Sequence, residues 1–185
     1  MVYICKYGNP VLRIKASPVE GIDKNVRQLA DAMVALMMQK NGVGLAAQQV
    51  GKTIRVFVMY VPSQYDLDKP DGKRLNPEIN DPLVMINPVL KDRKGAQSEK
   101  EGCLSIPEIF APVHRAYEVA VSFLDLHGKQ LQINARGLMA RVIQHEIDHL
   151  DGILFVDRVS AIKKISLAAK LKRLKRAAEM ETRAE

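Results

Sequence analysis

The chain has 185 residues, 47% of them apolar and 26% charged, with a net charge of +7 and two cysteines. That balance predicts one compact globular body long enough to bury most of its unfolded-state surface, and it excludes a disulfide scaffold, because Cys5 and Cys103 stand too far apart and too few to form a framework. No apolar run approaches the roughly 18 residues of a membrane span, and five of the seven net charges fall from Ala161 onward, so any affinity for polyanions belongs to the C-terminal segment.

The N-terminal residues Met1 to Gly8 show neither the apolar core of a secretory leader nor the bias of a transit peptide, so a cytoplasmic location is expected. Val26, Leu29, Met33, Leu36 and Met37 recur at helical spacing and predict a helix from about Asp23 to Gln39, stopped by Asn41-Gly42. A glycine-rich stretch follows, and Ile54 to Val61 then reads as a buried strand. Pro62 to Pro82 holds four prolines and predicts an exposed excursion with little regular structure. Strand character resumes at Leu83 to Leu90. Tyr117 to Phe123 alternates, and His127-Gly128 turns it into a hairpin with Leu131 to Ile133. From Gly137 to Leu150 two apolar stripes run along one helix, which makes it an interior helix, and Asp151-Gly152 ends it. Strands grouped between helices predict an α+β fold: largely antiparallel sheets around a central helix, with an N-terminal helix and a basic C-terminal helix.

The central helix carries His145-Glu146-Ile147-Asp148-His149. Positions i and i+4 share one helix face, so both imidazoles can converge on a single divalent ion while Glu146 reaches a water beside it. A catalytic site of this kind needs a third protein ligand and an open position. Downstream, Phe155 stands where a third histidine would be needed, and Glu179 or later residues fall inside the basic tail. Upstream, Glu101-Gly102-Cys103-Leu104-Ser105 offers a cysteine after a glycine that permits close backbone approach, giving a tetrahedral Cys103, His145, His149 and water arrangement. Gly42 to Gly51 imitates a dinucleotide-binding turn, but it follows a helix and precedes a strand; it is better read as a glycine loop whose backbone, at Gly44 among others, packs against substrate while one glutamine points inward.

The segments Gly42 to Gly51, Glu101 to Ser105 and Gln144 to Gly152, in that order, closely resemble the three signature motifs of the peptide deformylase family, and the likeness runs from Tyr7 to about Ser160. The resemblance implies that Cys103, His145 and His149 hold one metal ion per chain, that Glu146 is the general acid and base, and that Gln49 with the Leu104 backbone N–H forms an oxyanion site. It implies as substrate the N-formylmethionyl end of a nascent chain. It further implies Fe²⁺ as the working ion, with Zn²⁺, Ni²⁺ or Co²⁺ able to substitute, although the Cys-His-His set alone suits zinc and iron equally.

Around this centre, Val43, Leu138 and Val142 are the expected lining of a pocket for the methionine side chain, with Gly44 and Gly102 beside it. Arg141 is expected to lend its aliphatic stem to the rim and keep its head in solvent. Glu101 and Arg115 are expected to pair and hold the Cys103 loop in register. The division expected is a catalytic body over 1–160 and a basic amphipathic tail over 161–185, in which Ile162, Ile165, Leu167, Leu171 and Leu174 lie among cations; the resemblance implies a ribosome contact for this tail, and no DNA or membrane partner. Two other readings stay open at this point. One is a metallopeptidase cutting internal bonds, which lacks its downstream ligand; the other is an RNA-binding protein with a structural zinc that recruits Cys5 as fourth ligand.

Overall fold

The computed structural model describes residues 2–184, with side chains described as far as Met180; the charges of Glu181, Arg183 and Glu185 counted in the tail lie outside the described side chains. Asp23 opens α1 (Lys24–Gln39) by accepting the Val26 N–H at 2.9 Å, supplying an acceptor to one of the donors a helix start leaves free. Ala30, Met33, Leu36 and Met37 form its buried side. The helix ends where Asn41 turns to a φ of 53° and the Gly42 N–H reaches back to the Met37 carbonyl at 2.9 Å.

Among the described residues, seven strands follow: β1 (Gly44–Ala46), β2 (Val56–Met59), β3 (Leu83–Lys94), β4 (Gln97–Cys103), β5 (Ile106–Arg115), β6 (Glu118–Leu124) and β7 (Gln130–Arg136). Five form one antiparallel sheet in the order β1-β2-β3-β6-β7, and β4 with β5 makes a separate antiparallel hairpin. The register brings Phe57 opposite Met85 and Val121 opposite Ile133. Then come α2 (Gly137–Leu150), α3 (Phe155–Arg158) and α4 (Ala161–Ala184).

Helix α2 is the interior helix that its two apolar stripes require. Met139, Ala140, Ile143 and Ile147 pack among Phe57, Met85, Val121 and Phe123 of the large sheet, each such large side chain stabilising by about 1.5–3 kcal/mol when fully removed from water. Gln144 spends both ends of its amide on the β5–β6 corner, accepting from the Ala116 N–H at 3.1 Å and donating to the Ala116 carbonyl at 3.0 Å. A second core joins β5 to the C-terminal helices: Ile106, Ile109, Ala111 and Val113 meet Leu154, Phe155, Val156 and Leu167.

Three expectations need correction. The β4–β5 hairpin has no counterpart in the sequence reading, because its alternation ends on Arg115 and runs through Pro107 and Pro112. The 62–82 excursion has little regular structure, a short 3-10 turn at Ser63–Tyr65 apart, but it is not simply exposed: Asp66 and Asn76 are 1% exposed. Asp66 accepts from the Asn76 backbone N–H at 3.1 Å, the Asn76 side-chain amide at 2.5 Å and Arg74 Nε at 3.2 Å, while Asn76 exchanges hydrogen bonds with the Arg136 backbone. In α4 the apolar residues divide. Leu167, Leu171, Leu174 and Ala178 follow the helical period and face inward, whereas Ile162 and Ile165 sit off that stripe and are exposed. No described helix is long and apolar enough to cross a membrane.

Removing the Asp66 carboxylate leaves a buried N–H and amide without an acceptor. Asp66→Ala is therefore expected to cost about 1–3 kcal/mol in urea unfolding and to open residues 62–82 to protease in the native state; a protein as stable and as resistant as the parent contradicts that role.

Candidate active site

The site forms where α2, the β4–β5 turn and the glycine loop meet. His145 and His149 stand one turn apart on the inward face of α2, their ring centroids 4.9 Å apart and their planes at 74°. The β4–β5 turn delivers Cys103, whose Sγ lies 3.2 Å from His149 Nε2. The three ligand atoms all lie within 4.8 Å of one another. Tetrahedral ligation with sulfur at about 2.3 Å and nitrogen at about 2.1 Å requires S···N edges of roughly 3.6 Å, so the sulfur and the His149 nitrogen need only a few tenths of an ångström of adjustment to close on an ion.

The donors are oriented from behind. His145 Nδ1 lies 2.9 Å from Glu101 Oε2, which fixes Nδ1–H as the donor and leaves Nε2 turned toward Cys103. Glu101 in turn takes a two-pronged grip from Arg115 at 2.9 and 3.0 Å. Arg115 also donates to Asp148 at 2.5 Å, and Arg158 from α3 closes on the same Asp148 carboxylate. Two carboxylates and two guanidiniums thus alternate beneath the ligands. Burial works to raise the Glu101 carboxyl, but hydrogen bonds from His145 and Arg115 hold it at about 2. Burial also opposes charge on His145, yet Cys103 and Glu101 keep its pKa well above the ordinary value, while burial and the neighbouring His145 push His149 well below it. His149 Nδ1 has no hydrogen-bond partner among the described residues.

Glu146 is 3% exposed, its Oε2 is buried without a partner among the described residues, and burial pushes its pKa up to about 7. A side chain on Gly44 would place its Cβ 2.3 Å from Glu146 Oε1, so that position must be glycine for the carboxylate to stand where it does. A buried carboxylate oxygen with no donor, next to one thiol and two imidazoles, is a group arranged for a cation and a proton. The residues fit a metal.

A cleft of about 510 Å³ opens over these atoms. It is lined by Val43, Gly44, Gln49, Glu101, Gly102, Cys103, Leu104, Leu138, Arg141, Val142, His145 and Glu146; His149 lies against Cys103 behind it, and Arg115 behind Glu101. Gln49 donates through Nε2 to Cys103 Sγ at 3.3 Å and Ser105 Oγ at 3.2 Å, while its Oε1 accepts the Ala46 N–H at 2.8 Å. The sequence reading assigned nothing to several residues that build the site. Gln48 is also turned inward, donating to the His149 carbonyl at 2.7 Å, so both glutamines of the loop are buried. Ser105 anchors Gln49, and Asp148 and Arg158 extend the ionic chain. The Phe110 ring lies over Gly102, where a Cβ would stand 2.5 Å from it. Asp148 carried a signal, being polar on an interior helix; Phe110 and Arg158 carried none, since nothing local marks them as part of the site.

The profile of the polypeptide deformylase family matches residues 1–165. The peptide deformylase of Alkalilimnicola ehrlichii is 44% identical over 173 residues, covering 94% of this chain and 90% of that protein. That of Nitrosococcus oceani is 41% identical, covering 94% and 95%. Among solved structures, the peptide deformylase of Thermus thermophilus superposes with a TM-score of 0.81 at 37% identity over 96% of this chain and 99% of that one. That of Thermotoga maritima gives 0.75 at 37% identity over 86% and 98%.

Glu101→Gln removes the charge that His145 and Arg115 answer. Metal affinity, followed by competition with a chelator, should fall about 10- to 100-fold. Because the folded-state carboxyl sits at about 2 rather than its ordinary 4.5, its contribution to stability is complete above pH 4.5 and fades as the pH falls toward 2. The urea midpoint of the variant should therefore vary less over that window than the parent's. Unchanged metal retention with an unchanged acid profile contradicts the role.

Proposed function

The chain belongs to the polypeptide deformylase family, metal-dependent hydrolases that take the N-formyl group from newly synthesised polypeptides and release formate, and we propose that Cys103, His145 and His149 hold its metal while Glu146 moves its protons. The observation that carries this assignment is the gathering of one sulfur and two ring nitrogens within 4.8 Å beside a buried carboxylate oxygen that has no partner among the described residues. The bound cation supplies positive charge that lowers the pKa of water from about 16 toward about 7 and polarises a carbonyl.

The chain's own groups do the rest. Glu146, pushed up by burial, accepts the proton of the attacking water and returns it to the leaving amine nitrogen, so the bond that breaks is the formyl C–N bond and the products are formate and a free amino terminus. As the formyl oxygen gains charge, the Gln49 amide and the Leu104 backbone N–H donate to it; what supports this is that Gln49 Nε2 lies 3.3 Å from Cys103 Sγ, and its N–H exchanges that contact for the oxygen. Val43, Leu138 and Val142 receive the methionine side chain, with Gly44 and Gly102 letting the substrate backbone come close. Glu101 and Arg115 fix His145 and the Cys103 turn. Fe²⁺ is the working ion in this reading, on the likeness to the family, since a thiolate with two imidazoles suits zinc and iron equally; Zn²⁺, Ni²⁺ or Co²⁺ can occupy the same donors.

Residues 1–160 act as the catalytic body in the cytoplasm, and the tail over 161–185 docks on the ribosome. Support for the tail's role is its division of labour: Leu167, Leu171 and Leu174 face the body, leaving Lys164, Lys170, Lys172, Arg173 and Arg176 exposed. A structural zinc protein is disfavoured, because Cys5 lies in the core with Leu12 and Phe155 and is absent from the ligand cluster.

Deformylation of formyl-Met-Ala under anaerobic conditions with iron should be easily measured for the parent. It should fall about 10³-fold or more in Glu146→Gln and about 10²- to 10³-fold in Gln49→Ala, with metal content unchanged in both; full activity in either refutes the role. The rate should fall on the acid side at or below about pH 7 as Glu146 takes its proton. Replacing Lys164, Lys172 and Arg176 together by glutamine should abolish co-sedimentation with ribosomes at low salt, and retained binding excludes the docking role.

A further inference from the structure

The cleft holds one strong charge that the chemistry above does not use. Arg141 stands one turn before His145 on the cleft-facing side of α2, beside Val142 and Leu138. Its side chain is half-buried, and among the described residues it has no hydrogen-bond or ion-pair partner. The other guanidiniums at the base of the site are committed, Arg115 to Glu101 and Asp148, and Arg158 to Asp148. Leaving a guanidinium partly desolvated without an anion is unfavourable unless something supplies one.

The surroundings sharpen the preference. Lys6 is tied to the Leu104 carbonyl at 3.0 Å and Lys100 is exposed, and both line the same cleft. Of the carboxylates lining it, Glu101 is neutralised by Arg115 and Glu146 is buried at the reacting centre, which leaves exposed Glu108 as the one opposing charge at the rim among the described residues. A concave surface of this kind concentrates positive potential at its mouth.

Arg141 stands between the two α2 residues given to the methionine side chain, next to Val142 and about one turn from Leu138, and lines the same cleft, so its long side chain reaches from the rim of that pocket toward the residues that follow the methionine. We propose that Arg141 anchors a carboxylate side chain at the second or third position of the substrate, so that the enzyme selects formylated chains beginning with methionine and an early Asp or Glu. This inference rests on the deformylase reading of the site and adds a sequence preference to it. The stem of Arg141 packs along the apolar wall of the pocket while the head, without a partner among the described residues, meets the substrate's acid.

The test uses C-terminally amidated peptides, so that a terminal carboxylate cannot stand in for a side chain: formyl-Met-Glu-Ser-amide, formyl-Met-Ser-Glu-amide and their Gln and Lys counterparts. At low ionic strength, kcat/KM for the better-placed Glu peptide should exceed its Gln counterpart about 3- to 10-fold, with Lys below Gln, and the ratio should shrink toward one at high salt. Arg141→Met, which keeps the stem and removes the charge, should bring the Glu-to-Gln ratio to within about twofold of one, and Arg141→Lys should restore part of it. Equal rates on Glu and Gln peptides in the parent, or a ratio that survives Arg141→Met, overturn the inference and leave the deformylase reading standing. Failure to hydrolyse any of the peptides overturns both.

Discussion

The constraint on which the rest of the molecule depends is the burial of α2. A helix that places two imidazoles, a glutamate, an aspartate and a glutamine inside a protein must answer each of them, because an unpaired buried charge or polar group costs several kcal/mol. Glu101 answers His145 at 2.9 Å, Arg115 and Arg158 answer Asp148, and the Ala116 backbone answers Gln144. What is left over on this helix, among the described residues, is Glu146 Oε2 and His149 Nδ1, with His149 Nε2 turned to Cys103 Sγ. The candidate metal centre thus lies where the described residues answer this buried polar helix least.

The remaining elements follow from that requirement. The β4–β5 hairpin supplies both the sulfur and the carboxylate that orients His145, so one tight turn sets the first ligand and steadies the second. Its far strand shares a core with α3 and α4, where Ile109 and Val113 meet Phe155 and Leu167. Arg158, at the end of α3, then ties that same region to α2 through Asp148. Glycine at position 44 brings the loop after α1 against Glu146, and Gln48 and Gln49 run from that loop to the His149 carbonyl and to Cys103. Three segments distant in sequence are held by polar contacts that cross the site, which explains how a cleft of this size stays open within a well-packed body.

Much of this was legible in the residues. Local signals did well: Asp23 as a helix start, Asn41-Gly42 as its stop, the period-two pattern of Val119, Val121 and Phe123, and the i, i+4 histidines all act over a few positions, so the sequence carries their physics directly. The pairing of Glu101 with Arg115 was reachable because the chemistry of a buried ligand demands a partner. Long-range consequences were less legible. The β4–β5 strands carry lysine, glutamate and proline, and only their packing on α3 and α4 makes Ile109, Ala111 and Val113 an inward face. Asp66 and Asn76 lie in a proline-rich, polar stretch that reads as solvent-exposed, yet the Arg136 backbone draws them inward. Gln48 was passed over because nothing local separates it from Gln49, and the split of α4 into inward leucines and outward isoleucines depends on where the body happens to lie.

In the proposed site a single thiolate and two imidazoles hold one cation with a fourth corner free of protein. X-ray absorption at the metal edge of the anaerobically loaded enzyme measures this directly. One sulfur scatterer at about 2.3 Å is expected with two nitrogens and one further light atom at about 2.0–2.2 Å, the light atom being displaced when a small anion is added. A first shell without sulfur, or a fourth position filled by a side chain that no anion displaces, contradicts it.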